Sequence, residues 1–153
     1  MKYLYVLLAL IGVAASANTA RADTVSEVLG CDGDPCVIKF NPGGEVGSFK
    51  AAAREVQRSG RRVVIDGPCL SACAIFADVA RGRVCVTSKA RFGFHRGYVL
   101  DQPTAGGAYH LVKRFTPSHS RDIAGWVKKN GGFPSRGFNV MGARAARQIW
   151  HAC

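Results

Sequence analysis

Acidic residues are scarce in this chain. There are 10 Asp and Glu against 21 Lys and Arg in 153 residues, a formal charge of +11. Other features are missing altogether. There is no heptad array and no collagen period, which excludes the fibrous architectures. There is no low-complexity tract and no internal repeat. With 48% hydrophobic and 20% charged residues, the composition is that of a folded globular protein. No CxxC pair occurs, and His95, His110, His119 and His151 show no ligand spacing. A zinc site, the rival use of cysteine, is therefore weakly supported, and neither metal nor cofactor is expected. Nothing resembles a nucleic-acid-binding motif. Beyond the N-terminus no apolar run approaches the ~18 residues that a spanning helix needs.

What is present begins with a leader. Met1-Lys2 is a short basic start, Tyr3 to Ala15 is apolar apart from Gly12, and Ala20-Arg21-Ala22 is a small-x-small cleavage signature. This three-part pattern is that of a secretory signal peptide over residues 1–22, with an uncleaved N-terminal anchor as its rival. The expectation is an exported protein, periplasmic or secreted. Residues 23–153 then form a single domain. Its charge is +9, because Lys2 and Arg21 leave with the leader. The basic residues are scattered and read as a solvated surface. Such a surface also attracts anionic lipid headgroups or other polyanions weakly at long range.

All six cysteines lie in the mature chain, and an even number in an exported protein reads as a disulfide set. Cys31 and Cys36 enclose turn-forming residues. Cys69 and Cys73, at i and i+4, would have Cα atoms roughly 6 Å apart on a helix, within disulfide reach. Cys85–Cys153 would complete the set, closing a long loop worth on the order of 4 kcal/mol. Buried thiols at Cys69 and Cys73, or cross-pairing of these two with Cys31 and Cys36, remain open.

Alternation and helical period outline the elements. Strands are expected at 37–40, 62–66, 83–87 and 91–95. Helices are expected at 45–59, closed by Gly60, at 70–80, at 118–130 with Ser118 or Thr116 as cap, and at 143–150. Residues 97–107 read as loop. Strand, helix, strand, helix, strand is the order of βαβ units with a mainly parallel sheet, so the fold class is α/β.

Three elements could carry chemistry. Ser71 lies in Gly67-Pro68-Cys69-Leu70-Ser71-Ala72-Cys73, where a strand gives way to a helix. Free N–H groups and the positive end of the helix dipole lie there, which suits a nucleophile with the Ala72 N–H beside it. Taken alone, a capping serine is the simpler reading. His95 ends a strand, where it could act as a general base or simply be structural. Asn41-Pro42-Gly43-Gly44 could present backbone N–H groups, or be only a turn.

Together the segments Phe40-Asn41-Pro42-Gly43-Gly44, Ile65-Asp66-Gly67-Pro68-Cys69-Leu70-Ser71-Ala72 and Phe92-Gly93-Phe94-His95 resemble, in order and spacing, those of Clp-type serine peptidases. Cys69-Leu70-Ser71-Ala72-Cys73, Arg83-Val84-Cys85-Val86 and Gly93-Phe94-His95 are similar to segments of small exported members of the wider Clp protease/crotonase-like superfamily. The resemblance covers residues 37–151. It implies a ClpP/crotonase-like spiral of βαβ units. It also implies Ser71 as nucleophile, His95 as base, and the Ala72 N–H with that of Gly44 or Gly43 as the oxyanion hole. The family's triad aspartate has no match, since residues 133–147 contain no acid. Asp101, Asp122 and Asn139 are the candidates for orienting the histidine. Losing that role costs on the order of 10⁴ in rate in the serine-protease template.

Two functions follow from the resemblance. One is a peptidase-like serine hydrolase acting on peptide or protein substrates. The other is an inactive module that binds extended peptides. An acyl-CoA enzyme fits poorly outside the cytoplasm. Such families place an oligomerising helix between His95 and Ser118; here that segment is short and glycine-rich, so no oligomeric state is implied.

Overall fold

A computed structural model describes residues 24–101, 107 and 109–153. The expected leader over 1–22, and Pro103 and Gly106 of the expected loop, lie outside the described residues. Among the described residues no helix is long and apolar enough to cross a membrane.

The chain is α/β, with a mainly parallel main sheet. Strands β1 (Cys36–Ile38), β2 (Val63–Ile65) and β4 (Val84–Val86) lie side by side in parallel, and β9 (His151–Ala152) extends them in the order β1-β2-β4-β9. Ile38 pairs with Ile65, and Ile65 with Val86. These short β-branched runs are buried on alternate residues, as the strand period requires. The crossover between β1 and β2 is α2 (Val46–Ser59), which buries Phe49, Ala52, Ala53 and Val56 on one face. Glu45 caps its start, and Gly60 ends it at φ 76°, a left-handed value that glycine adopts without strain.

A second sheet runs in the order β3-β5-β8, from β3 (Pro68–Leu70), β5 (Arg91–Phe94) and β8 (Asn139–Gly142). Here β3 and β5 are parallel, while β8 is antiparallel to β5. The two sheets are built as a staircase. Each pass of the chain gives a strand to the main sheet and then, a few residues later, a strand to the second: β2 leads to β3, and β4 to β5. After β1 the same step ends in a single parallel bridge, Asn41 to Cys69. At the step from β2 to β3 the chain crosses so close to Lys39 that a Cβ on Gly67 would overlap the Lys39 carbonyl oxygen. Only glycine fits there.

Helix α3 (Ala72–Val79) follows β3 and is buried from Ala72 through Ala77. Its small side chains let α2 pack closely on it. Trp150 closes the core beneath. Its ring stacks on Phe92 with centroids 4.2 Å apart, and its Nε1–H donates to the Ala77 carbonyl at 2.9 Å. A short helix α1 (Thr24–Leu29) packs on α2, burying Val25 and Leu29.

Several expectations need correction. The helix expected from Leu70 begins at Ala72, because Pro68–Leu70 form β3. Pro68 tolerates this as the first residue of its strand, where no N–H is needed. Residues 97–107, expected as loop, include β6 (Gly97–Leu100), which pairs antiparallel with β7 (Leu111–Phe115). The glycines and Pro103 around Tyr98-Val99-Leu100 hid that strand. The helix expected at 118–130 is α4 (Arg121–Lys129), with Ser120 rather than Ser118 or Thr116 at its cap position. The helix expected over 143–150 stops early as α5 (Ala143–Ala146). The chain must turn there so that His151 can pair with Cys85 in the main sheet.

The cysteines pair as Cys31–Cys36, Cys69–Cys73 and Cys85–Cys153. Cys69 sits in β3 rather than on a helix, yet its Cα lies 5.2 Å from that of Cys73. A set of three disulfides fits an oxidising compartment. The Cys85–Cys153 bridge spans a sequence separation of 68. The double variant Cys85→Ala/Cys153→Ala is expected to lose about 4 kcal/mol of unfolding free energy, read from urea denaturation of both forms at equal pH.

Candidate active site

The turn from β3 into α3 holds Ser71 in an unusual backbone. Its φ of 55° and ψ of −121° make it the only positive-φ residue other than glycine among the described residues. Such a conformation costs on the order of 1–3 kcal/mol and persists only where neighbours over-determine it. Here they do. The Ser71 N–H donates to the Gly93 carbonyl at 2.8 Å, and the Ser71 carbonyl accepts from the Ala74 N–H at 3.0 Å. The Leu70 N–H is held by the Asn41 carbonyl at 2.9 Å. The Cys69–Cys73 bridge closes the turn from both sides.

His95 follows β5, which lies beside β3. The parallel register, Leu70 opposite Gly93, brings the residues just past the two strand ends together. His95 Nε2 lies 2.6 Å from Ser71 Oγ. The imidazole packs edge-on to Phe138 at 4.9 Å and to Tyr98 at 6.2 Å. Burial lowers the His95 pKa from its ordinary 6.5, and burial is its only resolved cause. The ring is therefore neutral at pH 7, the form in which Nε2 can accept the serine proton.

The loop after β1 comes up against this turn. Gly43, at φ 85°, lies so close that a Cβ there would sit 2.5 Å from the Leu70 carbonyl oxygen, 2.7 Å from Ser71 Cβ and 2.9 Å from the Ala72 nitrogen. The Gly43 N–H is committed to Asn41 Oδ1 at 2.9 Å, so Gly43 is spoken for as an oxyanion donor. The Gly44 and Ala72 N–H groups have no hydrogen-bond partner among the described residues. Ala72 opens α3, where backbone N–H groups lack helical acceptors and the dipole favours negative charge.

Ser71, His95, Gly43 and Gly44 line a cleft of about 430 Å³, and Ala72 follows Ser71 at its edge. Its apolar walls are Val46, Tyr98, Leu100, Phe115 and Phe138. Among the described residues, the one carboxyl group lining it is that of Glu45. The Gly47 and Ser48 N–H groups hold the Glu45 carboxyl below its ordinary range, so it stays ionised. Among the described residues no lysine or arginine lines the cleft, although the chain carries 21.

None of the three candidates for orienting His95 reaches it. Asp101 accepts from the His110 N–H at 2.8 Å. Asp122 is paired with Arg81 at 2.5 Å, which holds its carboxyl well below the usual range. The Asn139 amide donates to the carbonyls of Asn130 and Gly132 at 2.8 and 3.0 Å. A different acid–histidine pair forms elsewhere, with His119 Nδ1 3.5 Å from Asp78 Oδ2. Burial opposes ionisation of Asp78, but His119, Ser120 and Arg81 outweigh it and hold its pKa at about 2. That pair joins α3 to the start of α4, and its histidine ring packs against Phe94 and Phe133. Among the described residues no group of His, Cys, Asp and Glu is placed to hold a metal ion.

The sequence named Asn41 only as part of its glycine loop, and it did not single out the Asn41 side chain, Glu45 or the aromatic walls of the cleft. Asn41 carried no signal beyond turn composition, and Phe138 and Tyr98 reach the site only through pairings of β8 and β6. No family model matches the chain, and no curated protein matches it.

Two outcomes follow from this geometry. If neutral His95 is the base, kcat/KM falls on the acid side as the ring gains a proton. Because burial lowers its pKa, that inflection is expected below 6.5, read from a pH–rate profile; an inflection above 6.5 contradicts it. Gly43→Ala would force a methyl into the Ser71 turn, and is expected to lower kcat by about a hundredfold or more. A melting curve taken alongside separates that loss from unfolding.

Proposed function

We propose that this chain is an exported, peptidase-like serine hydrolase of the ClpP/crotonase type. The observation that carries the reading is the 2.6 Å contact between Ser71 Oγ and His95 Nε2 at a positive-φ strand-to-helix turn that opens into an apolar cleft. A nucleophilic serine on such a turn presents its hydroxyl clear of its own backbone. The staircase of strands shared between two sheets supports the fold side of the reading.

The chemistry then follows from the residues in place. His95 Nε2 takes the Ser71 proton as Oγ bonds to the substrate carbonyl carbon. The carbonyl oxygen becomes an oxyanion and is met by the Gly44 and Ala72 N–H groups, aided by the N-terminus of α3. The imidazolium returns its proton to the leaving nitrogen, the C–N bond breaks, and an acyl-serine remains. Water gives a proton to His95 Nε2 and its oxygen to the acyl carbon; the imidazolium then returns that proton to Oγ as the acyl–Oγ bond breaks, releasing the acid and restoring Ser71. With no carboxylate on the far side of the imidazole among the described residues, imidazolium forms less readily than in a full triad. Turnover is expected to be slow.

The cleft walls indicate the substrate class. Val46, Leu100, Phe115 and Phe138 suit an apolar side chain next to the scissile bond. The fixed charge of Glu45, with no cation beside it, disfavours acidic peptides. The missing carboxylate favours a second reading, a module that holds extended peptides without cleaving them.

A fluorophosphonate probe separates the two. Labelling of the wild type, and its loss in Ser71→Ala, is the expected result; equal labelling of both, or none of either, supports the module. Among model peptide esters, aromatic or aliphatic acyl residues are expected to react about tenfold faster than acidic ones, measured as kcat/KM.

A further inference from the structure

We infer that Asn41 is a positioning residue for the oxyanion site: its buried amide fixes the Gly43-Gly44 backbone against the Ser71 turn. The inference rests on the hydrolase reading and adds to it a residue with no contact to substrate.

Asn41 is 5% exposed. A buried amide is costly unless its polar atoms are paired, and here they are. Nδ2 donates to the Val28 and Leu29 carbonyls at the end of α1, each at 3.1 Å. Oδ1 accepts from the Gly43 N–H at 2.9 Å. The two carbonyls and the one N–H also fix which end of the amide is which. The Asn41 backbone is held as well, its N–H by the Pro68 carbonyl at 2.8 Å and its carbonyl by the Leu70 N–H at 2.9 Å.

An asparagine bonded to the N–H two residues on is a common turn device, and alone it would mean only a stable turn. The second contact is what gives it a consequence. Gly43 lies so close to Ser71 and Ala72 that not even a Cβ fits between them, and the Asn41 side chain ties it there. The same bond takes the Gly43 N–H out of use and leaves that of Gly44 for an oxyanion. Asn41 thus joins three things that are far apart in sequence: the end of α1, the Gly43-Gly44 loop and the strand leading to Ser71. No smaller or apolar residue supplies both the donors and the acceptor. Serine keeps the acceptor, since its hydroxyl can bond the same N–H two residues on, but loses the amide's two donations to α1.

The test compares Asn41→Ala with Asn41→Ser, using kcat per fluorophosphonate-titrated site, KM and melting temperature. Both variants lose the tie to α1 and are expected to melt earlier than the wild type. The alanine variant is expected to lose about tenfold to a hundredfold in kcat per titrated site, with KM within about threefold, because an oxyanion contact acts in the transition state. The serine variant is expected to recover most of that loss while melting as early as the alanine variant. Equal kcat per titrated site in all three proteins overturns the inference, as does serine behaving like alanine. Amide hydrogen exchange supplies an arm that needs no activity. Protection of the Gly43 N–H is expected in the wild type and Asn41→Ser, and faster exchange in Asn41→Ala. Unchanged Gly43 exchange in the alanine variant overturns the inference even if the wild type proves inert to the probe. An inert wild type with faster Gly43 exchange in that variant sinks only the hydrolase reading.

Discussion

The site depends on one backbone constraint, the positive φ of Ser71. An L-residue does not stay in that conformation unaided. It is held because both sides of the turn are pinned before Ser71 itself is considered. On the strand side, Leu70 bonds to Asn41 and Cys69 is bridged; on the helix side, Cys73 is the other half of that bridge and Ala74 bonds back to the Ser71 carbonyl. Gly93 fixes Ser71 from the neighbouring strand. The result turns the serine side chain away from the path of its own chain and toward His95. A relaxed φ would swing Oγ off that line.

The electrostatics around His95 differ from those of a full triad. A carboxylate at the second nitrogen would raise the basicity of the ring and stabilise its charged form. Here burial acts in the opposite direction, lowering the pKa. The neutral ring is plentiful at pH 7, but an imidazolium formed there would be poorly supported. Phe138 and Tyr98 fix where the ring sits without offering it charge. Ten acids in the whole chain, most of them engaged elsewhere, make the absence understandable: Asp78 and Asp122 are drawn to Arg81. That network joins α3 to α4 and so uses these acids for stability.

Much of the main sheet was legible because its signal is local. Val63-Val64-Ile65 and Val84-Cys85-Val86 are β-branched runs bounded by breakers, and α2 has a clean helical face ending in glycine. The approach of His95 to Ser71 was expected only through the family resemblance; the parallel register that sets Leu70 opposite Gly93 is what brings it about. What was not legible is non-local. β8 is defined by pairing with β5, and β9 by pairing with β4. Neither run has enough residues to show a period. Phe138 next to His95, and Asn41 beneath Gly43, follow from those pairings and from the staircase, which no window of sequence displays. The sequence also suggested an acid for the histidine by proximity along the chain. Asp101 and Asp122 fail because each has a nearer donor.

The disulfides have unequal roles. In the chain-entropy picture a bridge gains with loop length, about 4 kcal/mol at a separation of 68 and about 2 kcal/mol at 4 or 5. Cys85–Cys153 therefore contributes most to holding the domain folded, by fixing the last strand to the main sheet. The two short bridges contribute less in that way, and their positions account for them better. Cys31–Cys36 joins the end of α1 to the start of β1, so it braces the carbonyls that Asn41 grips. Cys69–Cys73 spans Ser71. Two of the three disulfides thus bear on Asn41, the Gly43-Gly44 loop and the Ser71 turn, and a small core with short strands could not hold those segments as firmly by packing alone.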